Sequence, residues 1–200
     1  LGTVKQWFKD YYGAANTTLV LLGDITPAQA RAKAMKYFGD IPAGPRVPRP
    51  QAWIAPNTKS SSGTMTDNVA QTRIYREWNT PGLDAAGNDR LMLDLATQVL
   101  GGSKTSRLYQ RLVYKDKLAD GVSVGNMTFE LASMTLLQVD VKKGADPKKV
   151  EVAIADEWSK FLKDGPTADE LARVKTTYQA STIRGLEQIG GFSGKAVTLA

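Results

Sequence analysis

Pro42, Pro45, Pro48 and Pro50 crowd into one short stretch, Pro-Ala-Gly-Pro-Arg-Val-Pro-Arg-Pro. Each proline fixes φ and removes a backbone donor, so neither a helix interior nor a central strand can pass through it. The stretch is therefore an extended, semi-rigid connector. Pro45 to Pro48 also spells P-x-x-P, a groove-ligand pattern, but an interdomain linker is the favoured reading. Asn-Thr-Lys-Ser-Ser-Ser-Gly at 57–63 continues the loop character. The sequence thus divides into a segment over 1–42, a Pro/Ser-rich linker over 43–63 and a domain over 64–200.

Ahead of the linker, Val4, Phe8 and Tyr11 recur at helical spacing with Trp7 beside them. Asn-Thr-Thr-Leu-Val-Leu-Leu-Gly-Asp (16–24) reads as a short buried strand. Leu19–Leu22 is expected to join this chain's own sheet or to pair with a neighbouring copy. Thr26-Pro27-Ala28-Gln29 opens a helix, with Thr26 as N-cap, Pro27 at the first helical position and Gln29 closing a capping box. That helix is expected to reach Phe38 and stop at Gly39.

Beyond the linker, residues 68–82 alternate as a strand ending at Pro81-Gly82. Residues 88–102 read as a helix with Leu91, Met92, Leu95 and Val99 on one face, and 105–118 as a second with Leu108 and Leu112 on one side. Two strands follow, over 120–129 and 132–144, close enough for an antiparallel hairpin. Asp146 and Pro147 start a helix whose buried face is Val150, Ile154, Trp158, Phe161 and Leu162; Gly165-Pro166 ends it. Thr-Ala-Asp-Glu (167–170) is a capping box for a helix reaching about Leu186. The tail from Gly190 begins a further helix. Strands and helices are segregated, which predicts an α+β fold: an antiparallel-rich sheet with helices on one face, preceded by a helix–strand–helix segment.

The chemistry open to such a chain is narrow. It has no cysteine and no histidine. Zinc sites are built largely from those two residues, and a Ser-His-Asp triad needs the imidazole. No D-x-D-x-D-G loop suggests calcium. No catalytic and no metal-ligating residue is assigned, and no cofactor is expected in this chain. The net charge of +6 comes from scattered lysines and arginines. The densest clusters, Lys142–Lys149 and Arg107–Lys117, are interrupted by Asp and Gly. Nucleic-acid binding would call for a basic stripe interleaved with aromatics, so no nucleic-acid partner is expected. No apolar run approaches the ~20 residues of a membrane span, and residues 1–12 lack the basic and apolar regions of a signal peptide. The sequence starts at Leu1 and is expected to be a piece of a longer chain, its 64–200 domain truncated at the end.

Leu-Gly-Gly-Ser-Lys-Thr-Ser-Arg-Leu-Tyr (100–109) has the ingredients of a phosphate loop, but fails the test. G-x-x-x-x-G-K-[ST] needs glycine where Ser103 stands, another five residues earlier, and a preceding strand. Here the preceding segment is helical. Gly101 and Gly102 are instead expected to form the turn of an αα-hairpin, using positive φ, with Ser103, Thr105 or Ser106 capping the next helix.

Leu-Ala-Thr-Gln-Val-Leu-Gly-Gly-Ser-Lys-Thr-Ser-Arg-Leu-Tyr-Gln-Arg-Leu (95–112), continuing to Ala119, resembles the helix-pair signature of the pitrilysin/insulysin-type zinc metallopeptidases, which include the mitochondrial processing peptidase. Residues 8–42 resemble the close of that family's first domain, and 157–181 the helix pair of its second. In the family, an H-x-x-E-H helix and a distal Glu supply two His and one Glu to zinc, and the Glu of the motif activates water. None of these can occur in a chain without histidine. The resemblance therefore implies a non-catalytic C-terminal segment of a bacterial zinc peptidase, forming half of a peptide-enclosing chamber, with zinc held by the parent or a partner subunit. The alternative is an inactive partner or scaffold with no proteolytic role. The partners implied are a peptide substrate reached through the parent and a catalytic or pseudo-symmetric half. The periplasm is favoured over the cytoplasm, although absence of cysteine does not fix the compartment. The family's substrate-clamping Arg and Tyr do not carry over, because Val113 and Asp120 stand at those places. Arg107, Tyr109 and Arg111 match the signature instead. They are candidates for substrate or partner contact, weighed against a structural role in which Leu108 and Leu112 pack inward while the arginine heads stay wet.

Overall fold

The computed structural model describes residues 1–49, 51, 58–82, 88–192 and 194–199. They form two compact units, one of residues 1–50 with 178–200 and one of 51–177. Part of the predicted linker, residues 50 and 52–57, lies outside the described residues, as does Ser193 in the tail.

In the first unit, α1 (Gly2–Tyr11) and α2 (Pro27–Phe38) form where the periodicity places them. The Thr26 hydroxyl accepts from the Gln29 N–H at 3.3 Å, and the Gln29 side chain accepts from the Thr26 N–H at 3.0 Å. This reciprocal box satisfies two donors that a helix start otherwise leaves open. The start of the proline stretch is not free. Ala14 and Ala15 donate to the carbonyls of Pro42 and Ala43 at 3.4 and 2.7 Å. Gly13 and Gly44 meet there so closely that a methyl on Gly13 would lie 2.9 Å from the Gly44 Cα.

The strand expected over 16–24 is not formed. Among the described residues, Leu19–Leu22 has no ladder partner. A lone extended segment has nothing to bond its N–H and C=O groups, so β propensity alone cannot make it a strand. Leu19, Val20, Leu21 and Leu22 remain 40–49% exposed. Likewise, α1 and α2 bury no residue. The rings of Trp7, Phe8, Tyr11 and Tyr12 contact one another at centroid distances of 4.9–5.5 Å while remaining exposed.

The second unit holds the core. β1 (Arg73–Pro81), β2 (Ala119–Met127) and β3 (Ala132–Val141) make an antiparallel sheet in the order β1-β3-β2. The β2–β3 pair is the predicted hairpin, with Met127 opposite Met134 and a bulge between Ala119 and Gly121. Alternation decides the faces. Along β3, Ser133, Thr135, Leu137, Val139 and Val141 are buried, and the residues between them are half-buried. Ile74, Val139 and Val122 lie in one row across the three strands.

Onto that face pack α3 (Asp89–Gly101), α4 (Arg107–Tyr109) with the segment following it, and α5 (Pro147–Asp164). Leu108, Leu112, Val150 and Ile154 are fully buried there. Trp158 of α5 stacks on Trp78 of β1, ring centroids 4.6 Å apart. Leu162, expected on the same buried face, is 74% exposed, whereas the adjacent Phe161 packs against the core. α6 (Ala168–Gly185) begins in this unit, and its residues from Tyr178 onward belong to the first. α7 (Lys195–Thr198) is a single turn. No helix among the described residues is long and apolar enough to cross a membrane.

The predicted second helix of the pair is only partly α-helical. α4 passes directly into a π-helical stretch, Gln110–Lys115, in which Asp116 N–H donates to the Arg111 carbonyl at 2.8 Å. The i→i+5 spacing lets Tyr109 and Tyr114 approach ring to ring, 5.5 Å apart.

The Gly101-Gly102 pair also differs from expectation. Neither residue has positive φ, and Gly102 is right-handed helical at φ −78°. The reason for Gly101 is proximity. A methyl there would fall 2.4 Å from Val124 Cγ2 and 2.7 Å from the Val124 nitrogen. The end of α3 thus lies directly on the β2 backbone. Gly101→Ala is expected to cost about 1–3 kcal/mol of unfolding free energy through overpacking. Gly125→Ala, where a methyl meets nothing within 4 Å, is expected to stay within about 1 kcal/mol of the parent. Urea denaturation of the two variants checks this.

Candidate functional site

The three signature residues lie at the start of the second helix of the pair, and the structure shows what each touches. The turn before them is tight. The Ser106 hydroxyl donates to the Ser103 carbonyl at 2.6 Å, and Ser106 N–H bonds the same carbonyl at 3.1 Å. Ser106 occupies the N-cap position but does not cap with its side chain, which is buried and turned to that carbonyl.

Arg107 leads α4. Its Nε and Nη2 each donate to one carboxylate oxygen of Glu170 at 2.7 Å, a bidentate fork, and Nη2 also donates to the Gly165 carbonyl at 2.9 Å. The Phe161 ring centre is 5.3 Å from the guanidinium carbon. Both charged side chains are only 16% exposed, so the Arg107 head is not wet as expected. Glu170 has a second task. It is the last residue of the Thr-Ala-Asp-Glu box: its Oε2 accepts from Thr167 N–H at 2.8 Å, and its own N–H donates to the Thr167 hydroxyl at 3.2 Å. One carboxylate therefore caps α6 and anchors the start of α4.

Arg111, four residues on, pairs with Asp116 through Nε and with Glu157 through Nη1 at 3.1 Å. Lys160 bonds the same Glu157 oxygen at 3.2 Å. Tyr109 packs partly buried against the core. The family signature marked Arg107 and Arg111, but Glu170, Glu157 and Asp116 were not anticipated as partners. The capping box did mark Glu170 as a placed carboxylate.

The Arg107 hydrogen bonds, aided by the Thr167 N–H and opposed by partial burial, hold the Glu170 carboxyl at about 2, against an ordinary value of 4.5. A depressed folded-state value means the stabilisation is fully present above the unfolded value. It is lost as pH falls from about 4.5 toward about 2. Glu170→Gln is expected to destabilise the chain near neutrality by on the order of 2 kcal/mol, with the gap closing through that acid window. Thermal melts of both proteins across the acid range test this, and a gap unchanged down to the lower limit would contradict it.

A metal has little to work with here. The sequence has no histidine or cysteine, and among the described residues no group of three or more Asp and Glu could hold an ion. The residues present do not fit zinc. Near Arg107 and Arg111 the arrangement offers ion pairs joining helices.

The second unit is thus a one-sided α+β domain whose helix termini are pinned by paired charges. The chain belongs to the peptidase M16 inactive domain family, whose model matches residues 1–178. It is 23% identical over 197 residues to the zinc protease PqqE of Helicobacter pylori, a match covering 97% of this chain and 44% of that protein. The crystal structure of a protease from Helicobacter pylori superposes with a TM-score of 0.80 at 22% identity, covering 94% of this chain and 46% of the other. A peptidase M16 inactive domain structure from Pseudomonas fluorescens gives 0.78 at 24% identity, covering 90% and 43%. This chain therefore spans less than half the length of these relatives, and the structural likenesses establish the fold.

Proposed function

We propose that this chain is the non-catalytic half of a bacterial zinc metallopeptidase. A second half or partner subunit holds the zinc and cleaves peptide, and this half closes the chamber around the substrate. The observation that carries the reading is the match to the inactive domain of the family, in a sequence with no histidine to build H-x-x-E-H. A second observation supports it. The elements of residues 1–41 leave Trp7, Phe8, Leu19–Leu22, Tyr37 and Phe38 substantially exposed, and apolar surface on this scale marks a face that packs against something else. Leu19–Leu22 is the natural strand to pair with a sheet edge of the other half or of a neighbouring copy.

Arg107, Tyr109 and Arg111 serve this function by bracing the helix pair: Arg107 and Arg111 commit hydrogen-bonding groups to Glu170, Gly165, Asp116 and Glu157, and Tyr109 packs against the core. We propose a periplasmic setting for the parent, since one protein of like fold, the protease PqqL of Escherichia coli, is periplasmic.

Zinc titration of the chain is expected to show no stoichiometric binding at micromolar concentration, and binding at that level would overturn the non-catalytic assignment. Mixed with a separately expressed half carrying H-x-x-E-H, the chain is expected to co-sediment and to raise peptidase activity. A catalytic half equally active alone would leave the scaffold alternative.

A further inference from the structure

Lys117, at the end of one basic cluster, meets the other, Lys142–Lys149, in the second unit, where β2 begins and β3 ends. The Lys142 N–H donates to the Leu118 carbonyl at 3.0 Å, bringing the segments together. An open pocket of about 410 Å³ forms there, and Lys117, Lys142, Lys143 and Lys149 line it with Asp146. All four lysines are exposed. None of the four joins an ion pair among the described residues. Asp146 is held as the N-cap of α5, accepting from Lys148 N–H at 2.9 Å. Four lysines thus line one pocket with a single carboxylate. A surface with this excess of positive charge attracts a polyanion. Lys117 is also the one described non-glycine residue with positive φ, 54°, a conformation glycine adopts more readily.

The chemistry of the lining selects among anions. Phosphate cradles at helix starts use free backbone N–H groups. None is free here: Pro147 has no N–H, and those of Lys148, Lys149 and Val150 all bond Asp146. Lysines are mobile point charges without the planar fork that arginine offers a single oxyanion. Charges on flexible stems, contributed by three chain segments, suit carboxylates spaced along a polymer. We infer that this face docks an acidic polypeptide segment, its Asp and Glu carboxylates seated on Lys117, Lys142, Lys143 and Lys149. The inference stands independently of the chamber reading.

The test is fluorescence anisotropy of labelled hexaglutamate against the full 200-residue chain, with hexaglutamine as the neutral control. Saturable binding is expected at low ionic strength, for hexaglutamate alone, and loss of it at about 0.5 M salt. The double variant Lys142→Ala/Lys149→Ala is expected to bind about tenfold or more weakly. Lys143→Glu alone should weaken binding too, giving a second reading should the double variant fold poorly. Lys163→Ala/Lys175→Ala, at exposed lysines outside the pocket, should bind as the parent does. Equal weakening in both double variants, or no saturable binding at low salt, overturns the inference. So does inorganic pyrophosphate competing at a lower concentration than unlabelled hexaglutamate, which would make this a phosphate site.

Discussion

The second unit depends on one pair of side chains. Arg107 and Glu170 are 63 residues apart in sequence, yet their fork fixes three helix ends together: the start of α4, the end of α5 through Gly165, and the start of α6 through the Thr167 cap. A partly buried charge pair is worthwhile only when its remaining donors and acceptors are also satisfied. Here the extra partners are backbone groups that helix termini leave open in any case. The pair thus completes hydrogen bonding that α5 and α6 would otherwise take from water. It also sets where the helix layer ends, because Leu108, one residue after Arg107, is fully buried against the sheet.

Local signals in the sequence carried much of the fold. The Thr26 and Thr167 boxes, the Asp146-Pro147 start and the β2–β3 hairpin rest on contacts within a few residues, and all are present. The departures share a cause, since each is decided by something distant. Gly101 looked like a turn glycine, whereas its lack of a side chain is required by Val124 of a strand not yet formed in sequence order. The π-helical stretch has no periodic signature of its own. Leu19–Leu22 has a strand's composition but no edge to pair with among the described residues. Leu162 sits at the right helical spacing, but Phe161 beside it takes the core-facing place.

Site legibility followed the same divide. Arg107 and Arg111 were visible as signature positions, and their identity suggested charge work at a surface. Their partners could not be read, because nothing local links Ser-Arg-Leu-Tyr to Thr-Ala-Asp-Glu or Arg111 to Glu157. The two lysine clusters are the converse case. Each looked diluted by Asp and Gly along the chain, and it is the hairpin's return that adds Lys117 of the first to the second. Linear charge density understates a patch whenever adjacent strands bring separated segments to the same end of a sheet.

The π-helical stretch has a consequence for how this chain tolerates length changes. A turn closed from i to i+5 accommodates one more residue than an α turn. Leu108 and Leu112 are both fully buried on either side of the transition from α to π geometry. Removing one residue between 113 and 115 would let the helix relax to ordinary winding while both leucines kept their places. The helix therefore holds a reserve of one residue inside a regular element. Indels are usually confined to loops, yet here a packed helix could absorb one, leaving the sheet and the Arg107 fork undisturbed.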